Sequence, residues 1–336
     1  MSNKVIIPQG YKPKLSSYEL QLAISSVKRI FLSQLSHELN LKRVSAPLFV
    51  KSGMGINDNL NGTERPVSFD IPACDYTAEI VHSLAKWKRF ALKEYGFKAH
   101  NGLVTDMNAI RRDEELDNLH SIYVDQWDWE KVIKVTYRNE EYLKTTVRKI
   151  VKAIHTANDI LKEEFSQLTC KIDPDVTFIS SQELEDMYPA LTPVEREHEF
   201  TKLHKTVFIT QIGDLLKSGQ VHGNRAPDYD DWALNGDLLI WNEVLGCPIE
   251  ISSMGIRVDS KSLKEQLKKA GCEYREKEWF HQMLLNDELP LTIGGGIGQS
   301  RLCMLLLQCA HIGEVQSSLW DEETKTQCKK HNIPLL

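Results

Sequence analysis

Apolar residues recur every three or four positions in two long stretches of the chain, which predicts two long amphipathic helices. In residues 17–39 the recurring positions include Leu20 and Ile24, and Ser16 and Glu19 have the spacing of a capping box at the start. The other predicted helices cover residues 83–95, with Ser83 placed to cap the first turn, 142–167 and 262–270.

Shorter runs rich in β-branched and aromatic residues predict strands. One run carries Pro47, which favours an edge strand or a bulge. Strands and helices do not alternate regularly, and there is no internal repeat and no long linker. The pattern therefore predicts an α+β fold, a single domain over residues 1–336, with a mainly antiparallel sheet flanked by helices. The predicted strands cover residues 42–50, 67–71, 77–81, 120–130, 238–241, 249–252 and 289–293.

A glycine-rich stretch, residues 294–301 with the sequence GGGIGQSR, stands between the last predicted strand and an apolar helix that starts at Leu302. Glycines in a turn let the backbone approach a flat ligand, and an arginine there offers a planar set of donors to a phosphate. A dinucleotide fingerprint is excluded because Gln299 and Arg301 stand where glycine is needed, and a Walker loop lacks its Gly-Lys-Ser/Thr. The stretch predicts a nucleotide-binding turn, or a turn whose glycines only permit close packing.

The predicted strand at residues 120–130 is unusually polar and rich in tryptophan. Because side chains alternate along a strand, Gln126, Asp128 and Glu130 share one face and the tryptophans share the other. A face with an amide and carboxylates suits a small, charged ligand. The alternative is a solvated face above a buried aromatic one.

Two acidic segments are candidates for binding a cation. Residues 226–237 contain several aspartates but no EF-hand, because Trp232 stands where that loop needs Asp or Asn. They suit an ammonium group or hydrated Mg²⁺, or form an acidic surface loop. Glu250 lies in an otherwise apolar strand, where an unpaired charge is costly, so it needs a metal or a salt bridge such as one from Arg257.

The composition narrows the class of protein. The hydrophobic content of 41% and charged content of 26% are ordinary for a globular protein, and a net charge of −6 argues against broad nucleic-acid binding. No apolar run approaches the roughly 18 residues that span a bilayer, and the residues before Pro8 do not form a signal peptide. The seven cysteines lack a C-x-x-C pair, which predicts reduced thiols, no zinc and a cytoplasmic location.

Three segments resemble the motifs of class II aminoacyl-tRNA synthetases. Residues 296–301 resemble the third motif, GxGxxR, and residues 111–115 with the following strand resemble the second. The helix at 17–39, which runs into a strand with Pro47, resembles the first motif, which forms a dimer interface in that class.

Five longer blocks resemble, more specifically, the family of ammonia-dependent asparagine synthetases, the aspartate–ammonia ligases. The blocks occur in that family's order and span nearly the whole chain. They are VHSLAKWKR, HSIYVDQWDWE, APDYDDW, SSMGIR and GGGIGQSR.

This resemblance implies a homodimer with a class II synthetase-like core. It also implies ATP, Mg²⁺, L-aspartate and ammonia as ligands, and asparagine, AMP and pyrophosphate as products. A carboxylate is a poor electrophile, so the side chain of aspartate would first attack the α-phosphate to form β-aspartyl-AMP. Charge then develops on the phosphate, and fixed cations are the main contribution expected of the protein.

For the nucleotide we assign Arg111 to the α-phosphate and Arg301 to the triphosphate and adenine. Arg112 also fits the second motif, and the alignment of the blocks favours Arg111. Asp237 and Glu250 are expected to hold Mg²⁺ or the ribose. Ser121, Gly296 and Gly298 complete the predicted ATP site.

For aspartate we expect Lys88 and Gln126 to meet the carboxylates. Asp58, Asp128 and Asp230 are expected to surround the ammonium group and the incoming ammonia, with Asp58 accepting a proton. The remaining predicted substrate contacts are Ser83, Ser253 and Arg257.

Three rival functions fit the sequence less well. A truncated aspartyl- or asparaginyl-tRNA synthetase would carry an OB-fold domain, whereas about 15 residues precede the first predicted helix. A non-catalytic relative would be expected to lose Arg111 and Arg301. Use of glutamine requires a nucleophilic cysteine, whereas residue 2 is serine and no further domain is predicted. We therefore expect free ammonia as the nitrogen donor, without nucleic-acid or membrane partners.

Overall fold

The computed structural model describes residues 5–60, 62 and 64–336. The helices of these residues are α1 (Ser17–Leu39), α2 (Ala85–Glu94), α3 (Glu140–Glu164), α4 (Ser181–Met187), α5 (Pro193–His204), α6 (Ser260–Lys269), α7 (Trp279–Leu285), α8 (Gln299–Leu306) and α9 (Glu322–Lys330). The strands are β1 (Leu41–Arg43), β2 (Phe49–Lys51), β3 (Ser68–Ile71), β4 (Tyr76–Ile80), β5 (Gly102–Ile110), β6 (Tyr123–Val132), β7 (Thr177–Ser180), β8 (Thr206–Thr210), β9 (Asp230–Asn242), β10 (Cys247–Arg257) and β11 (Thr292–Gly298). Short 3₁₀ helices cover Val135–Tyr137, Glu273–Lys277 and Ile312–Glu314.

Eight strands form the main sheet in the order β1-β5-β6-β11-β10-β9-β8-β7. The pairs β1–β5 and β7–β8 at the two edges are parallel, and the pairs between them are antiparallel. A smaller antiparallel sheet has the order β2-β4-β3. The predicted α+β fold with a mainly antiparallel sheet is therefore confirmed.

The two long helices form where the apolar period predicts them. Ser16 and Glu19 make the capping box of α1, and the helix ends where Asn40 adopts a left-handed conformation with φ 57°. The second begins two residues earlier than predicted, because Asn139 caps it by accepting a hydrogen bond from the Tyr142 amide. No helix of the described residues is both long and apolar enough to cross a bilayer.

The alternation along β6 separates a buried core from a polar site. Trp127 and Trp129 are buried with α1 and α3, and the ring centroids of Trp127 and Phe31 are 4.7 Å apart. The side chains that alternate with the tryptophans, Gln126 and Asp128, line a cavity on the other side of the sheet. The prediction of one aromatic and one polar face is confirmed.

The predicted glycine turn is wrong, because its glycines continue the last strand. β11 runs through Gly298, and α8 begins at the next residue. Within the sheet, Gly294 pairs with Glu130 of β6 on one side and with Gly255 of β10 on the other. A Cβ at Gly294 would collide with the Glu130 carboxylate and lie 2.7 Å from Arg257 Nη2. Glycine is needed here because side chains from the two neighbouring strands meet above it.

The predicted strand pair around Gly246 is confirmed and is longer than expected. β9 and β10 form an antiparallel hairpin, and Gly246 has a φ of 65° in the connection. At the far end of the hairpin Asp230 pairs with Arg257. The hairpin therefore carries predicted site residues of two separate sequence blocks to one place.

Candidate active site

A cavity of about 410 Å³ lies over the centre of the main sheet. Residues of β6, β10 and β11, the start of α2 and the loops before β3 and β9 line it. Every predicted site residue except Asp237 is among the lining residues. They are Asp58, Ser83, Lys88, Arg111, Ser121, Gln126, Asp128, Asp230, Glu250, Ser253, Arg257, Gly296, Gly298 and Arg301.

Lys88 is a buried cation in the floor of the cavity. Its Nζ donates to Asp128 Oδ1 at 2.9 Å and to the carbonyl of Gly295 at 2.8 Å. Burial lowers the pKa of Lys88, and the charge of Asp128 opposes this change. An ammonium group has three donors, so one remains for a ligand beyond these two contacts.

Arg257 lines the cavity and joins two carboxylates. Its Nε and Nη2 donate to Glu130 at 3.0 and 2.7 Å, and its Nη1 donates to Asp230. All three side chains are almost completely buried. Burial alone would raise the pKa of Glu130, but the contacts with Arg257 bring it below its usual value. The geometry fixes the Asp230 carboxylate at the cavity wall.

The expectation that Glu250 is buried and paired with Arg257 is wrong. The Glu250 side chain is 44% exposed, and its Oε1 lies 3.7 Å from Arg301 Nη1. A bulge between Glu250 and Ser252 shifts the pairing of β10 with β9, so the alternation of an apolar strand does not apply at this position. The carboxylate lies at the rim of the cavity.

Arg225 is a site residue that the sequence analysis did not identify. Its Nη2 donates to Asp237 at 2.5 Å, its Nη1 donates to Ser253, and it lines the cavity. Asp237 itself is not among the lining residues. The signal in the sequence was a lone arginine directly before the acidic block that begins at Ala226.

Asp237 and Glu250, the predicted metal ligands, lie on neighbouring strands. Burial raises the pKa of Asp237; Arg225 lowers it, and the charge of Glu250 raises it again. In the described part of the chain, no group of three or more His, Cys, Asp and Glu side chains could hold a metal ion. Two carboxylates suit Mg²⁺ when a bound phosphate supplies further oxygen ligands.

Arg301 lines the cavity from the first turn of α8. Its Nη1 donates to the carbonyl of Glu250 at 3.0 Å. The start of the helix is fixed by Asp125, whose carboxylate accepts hydrogen bonds from the amide and hydroxyl of Ser300 at 3.0 and 2.6 Å. Lys28 of α1 pairs with the same carboxylate at 3.1 Å.

Arg111 follows directly after β5 and lines the cavity, whereas its neighbour Arg112 is exposed and does not. Arg111 Nη1 lies 4.0 Å from the Glu114 carboxylate. Its buried Nε has no hydrogen-bond partner among the residues that the structure describes. Of the two arginines, Arg111 is the one placed to bind an anion in the cavity.

Asp58 projects into the cavity from the loop between β2 and β3. Its Oδ2 accepts a hydrogen bond from the Ser83 hydroxyl at 2.7 Å, and its Oδ1 accepts one from the Leu60 amide at 2.8 Å. Ser83 lies one residue before the cap residue of α2, Leu84, and its hydroxyl accepts a hydrogen bond from the Ala85 amide in the first turn at 3.3 Å. The Ser83 hydroxyl also fixes the carboxylate of Asp58.

The sequence model of one protein family, described as aspartate-ammonia ligase, matches residues 18–332. The aspartate–ammonia ligase of Ruminiclostridium cellulolyticum is 57% identical over 335 residues, which are 99% of this chain and 100% of that protein. The aspartate–ammonia ligase of Lactobacillus acidophilus is also 57% identical, again over 99% of this chain and 100% of the relative.

Among solved structures, asparaginyl-tRNA synthetase from Pyrococcus horikoshii complexed with asparaginyl-adenylate has a TM-score of 0.64 and 15% identity. The likeness covers 89% of this chain and 68% of that one. The asparaginyl-tRNA synthetase of Entamoeba histolytica has a TM-score of 0.60 over 89% of this chain and 66% of that one, at 13% identity. These likenesses confirm the class II aminoacyl-tRNA synthetase fold.

Proposed function

The chain belongs to the aspartate–ammonia ligase family and is a ligase that forms asparagine from aspartate and ammonia with ATP, and we propose that it works through a β-aspartyl-AMP intermediate. In the first step a side-chain carboxylate oxygen of aspartate would attack the α-phosphate of ATP, and pyrophosphate would leave. In the second step ammonia would attack the activated carbonyl, AMP would leave, and one proton would be released.

The observation that carries this proposal is the distribution of charge in one cavity. Arg111 and Arg301 line it, and so do Lys88, Asp128 and Asp230. The arginines suit the phosphates of ATP, and the mixed charges suit a zwitterionic amino acid with an extra carboxylate. A carboxylate and an α-phosphate repel each other, so fixed cations beside the phosphate are what the first step requires.

For the aspartate we propose that Lys88 and Gln126 bind its carboxylates, with Ser83, Ser253 and Arg257 around them. Asp128 and Asp230 would bind the α-ammonium group. Each of these two carboxylates already has a buried cation partner, Lys88 or Arg257. That pairing holds the carboxylates in place before the substrate arrives.

For the nucleotide we propose that Arg111 binds the α-phosphate and Arg301 the triphosphate and the adenine, with Ser121, Gly296 and Gly298 completing the site. Mg²⁺ would neutralise phosphate charge. Asp237 and Glu250 would hold Mg²⁺ or the ribose. Because Arg225 donates a hydrogen bond to Asp237, the Arg225 side chain would have to move away before Asp237 could contact the metal directly.

We also propose that the protein is a cytoplasmic homodimer. The first helix, which resembles the dimer motif of class II synthetases, exposes Tyr18 and Leu22. Exposed apolar side chains on one helix are typical of a surface that another chain covers. The cysteines are free thiols, as expected in a reducing compartment.

Isotope transfer tests the proposed intermediate directly. With aspartate labelled by ¹⁸O in its side-chain carboxylate, one labelled oxygen is expected in AMP for each asparagine formed, because that oxygen bridges carbon and phosphorus in the adenylate. The product AMP and inorganic phosphate are analysed by mass spectrometry, with and without ammonium. Label in inorganic phosphate together with ADP would show an acyl phosphate instead.

Replacing Asp58 by asparagine separates the two steps. Because an amide cannot accept a proton from ammonium, we expect asparagine formation to slow about 100-fold while aspartate-dependent ATP–pyrophosphate exchange stays within about twofold. Asp70→Asn, which changes an exposed aspartate of β3, is the matched control and should alter neither rate. An equal loss of both reactions in Asp58→Asn would remove this residue from the role of base.

A further inference from the structure

A second group of charged side chains is buried outside the cavity. It consists of Lys86, Asp228, Arg275 and His281, which we call the Asp228 cluster. Asp228 Oδ2 lies 3.3 Å from Lys86 Nζ, 3.2 Å from Arg275 Nη1 and 3.1 Å from His281 Nε2. The side chains of Lys86, Asp228 and His281 are completely buried, and none of the four lines the cavity.

Burying these charges is costly unless they are well paired, and a core of apolar residues would be at least as stable. Burial alone would raise the pKa of Asp228, but Lys86, His281 and Arg275 bring it well below its usual value. The carboxylate is therefore ionised and holds three donors on one oxygen. Such an arrangement fixes the relative positions of the segments that carry it.

Two of these segments also deliver a residue to the proposed site. Lys86 is two residues before Lys88 on α2, and Asp228 is two residues before Asp230. His281 lies on α7, which contributes no residue to the cavity wall in the described part of the chain. Helix α7 contacts the loop that carries Asp58.

The contact between α7 and this loop is close. Gly55 has a φ of 69°, and a Cβ there would collide with the Glu278 carboxylate and lie 3.0 Å from His281 Nδ1. The amide of Phe280 donates to the carbonyl of Met54 at 3.3 Å. The backbone of residues 54–55 thus lies directly against the start of α7.

The chain between Gly55 and Asp58 has little freedom to absorb a shift. Ile56 is buried in an apolar cluster with Leu84 and other residues. Asn57 Oδ1 accepts hydrogen bonds from the amides of Asp58 at 2.9 Å and His82 at 3.0 Å. A displacement at Gly55 is therefore passed on to the carboxylate of Asp58.

We propose that His281, held by the Asp228 cluster, and Glu278, whose Oε2 lies 3.4 Å from His281 Nδ1, are positioning residues for the ammonia step, because they set the place of the Asp58 carboxylate. This inference rests on the proposed function, in which Asp58 serves the second step and not the first. A misplacement of about 1 Å in a reacting group lowers a rate by up to about 100-fold. A displaced Asp58 carboxylate should therefore slow the reaction with ammonia and leave the rate of aspartate activation unchanged.

Two glycines of the same loop provide a matched pair of variants. Gly53 and Gly55 have φ values of 77° and 69°, so alanine brings similar backbone strain at either position. A Cβ at Gly53 meets nothing within 4 Å, whereas a Cβ at Gly55 meets Glu278 and His281. The difference between the two variants reports the contact with α7.

In Gly55→Ala we expect kcat/KM for ammonium to fall at least about tenfold relative to Gly53→Ala. Aspartate-dependent ATP–pyrophosphate exchange and the KM for aspartate should differ by less than about twofold between the two variants. Equal kcat/KM for ammonium in both variants would overturn the inference, and so would a parallel loss of exchange and asparagine formation in Gly55→Ala.

His281→Asn provides a second route if Gly55→Ala does not fold. Asparagine removes the ring that packs against Gly55 and keeps an amide that can donate to Asp228. The same selective loss for ammonium is expected, and a proportional loss of exchange would contradict it. If the unmodified protein shows no aspartate-dependent exchange, the adenylate proposal fails, and the ammonium comparison of the two glycine variants still decides this inference.

Discussion

Replacing Arg257 by leucine is expected to lower the free energy of unfolding by about 3–5 kcal/mol and to abolish asparagine formation. The guanidinium is 2% exposed and pairs with Glu130 and Asp230, which are 0% and 2% exposed. Without it, Glu130 stays buried and loses its ion pair, and Asp230 keeps only the more distant Arg225, at 3.9 Å. Denaturant unfolding followed by circular dichroism measures the change.

An exposed arginine supplies the matched control for this prediction. Arg43 pairs with Asp106, with side-chain exposures of 66% and 34%. Arg43→Leu should change stability by less than about 1 kcal/mol, because solvent screens an exposed pair. A loss of similar size in both variants would show that burial of the Arg257 pairs is not the cause.

The pH dependence of the Arg257→Leu effect has a definite sign. The folded-state pKa of Glu130 lies below its usual value, so its contribution is complete above about pH 4.3 and is lost as the pH falls through the folded pKa. In the variant the buried carboxylates instead destabilise the fold at neutral pH, and burial without the cation raises their pKa, so they become protonated and cease to destabilise it already above their usual range. The difference in stability should therefore narrow as the pH falls toward, and then through, the folded pKa of Glu130.

The helices and the polar face of β6 could be predicted because both depend on local periodicity. The capping box at Ser16 and the alternation of Gln126, Asp128 and the tryptophans are visible in neighbouring residues. Most residues of the cavity wall could also be predicted, because they lie in or near the five sequence blocks that resemble the family's motifs. Local pattern and resemblance agree at these positions.

The glycine stretch shows where local pattern fails. Glycines usually mark turns, and nothing near them in sequence indicates that Glu130 and Arg257 meet above Gly294. That requirement comes from strands 37 or more residues away in the chain, which are adjacent only in the folded sheet. Gly296 and Gly298 line the cavity, and they do so from a strand, not from a turn.

Long-range charge pairs were unpredictable for the same reason. Arg257 pairs with Glu130 and Asp230, not with Glu250, because β11 stands between β6 and β10 and a bulge displaces Glu250. Strand β5 was also missed, since its sequence GLVTDMNAI has no simple alternation and is buried on both faces. Each of these features depends on which strands are neighbours in the sheet, and the periodicity of the sequence does not show that.

Arg111→Gln is expected to lower kcat/KM for aspartate-dependent ATP–pyrophosphate exchange about 1,000-fold, the scale on which a phosphate-binding arginine acts in phosphoryl transfer. Arg111 lines the cavity, and its Nε has no hydrogen-bond partner in the described residues. Its ion contact with Glu114, at 4.0 Å, joins side chains that are both about a quarter exposed. Loss of that contact should cost less than about 1 kcal/mol of stability.

The adjacent arginine makes the test decisive. Arg112 is exposed and lies outside the cavity wall, so Arg112→Gln removes the same charge one residue away and should leave the exchange rate within about twofold. Thermal unfolding of both variants checks that the fold is intact. If Arg112→Gln caused the larger loss, the phosphate would bind on the opposite side of the chain after β5, and the assignment of this cavity to the α-phosphate would be wrong.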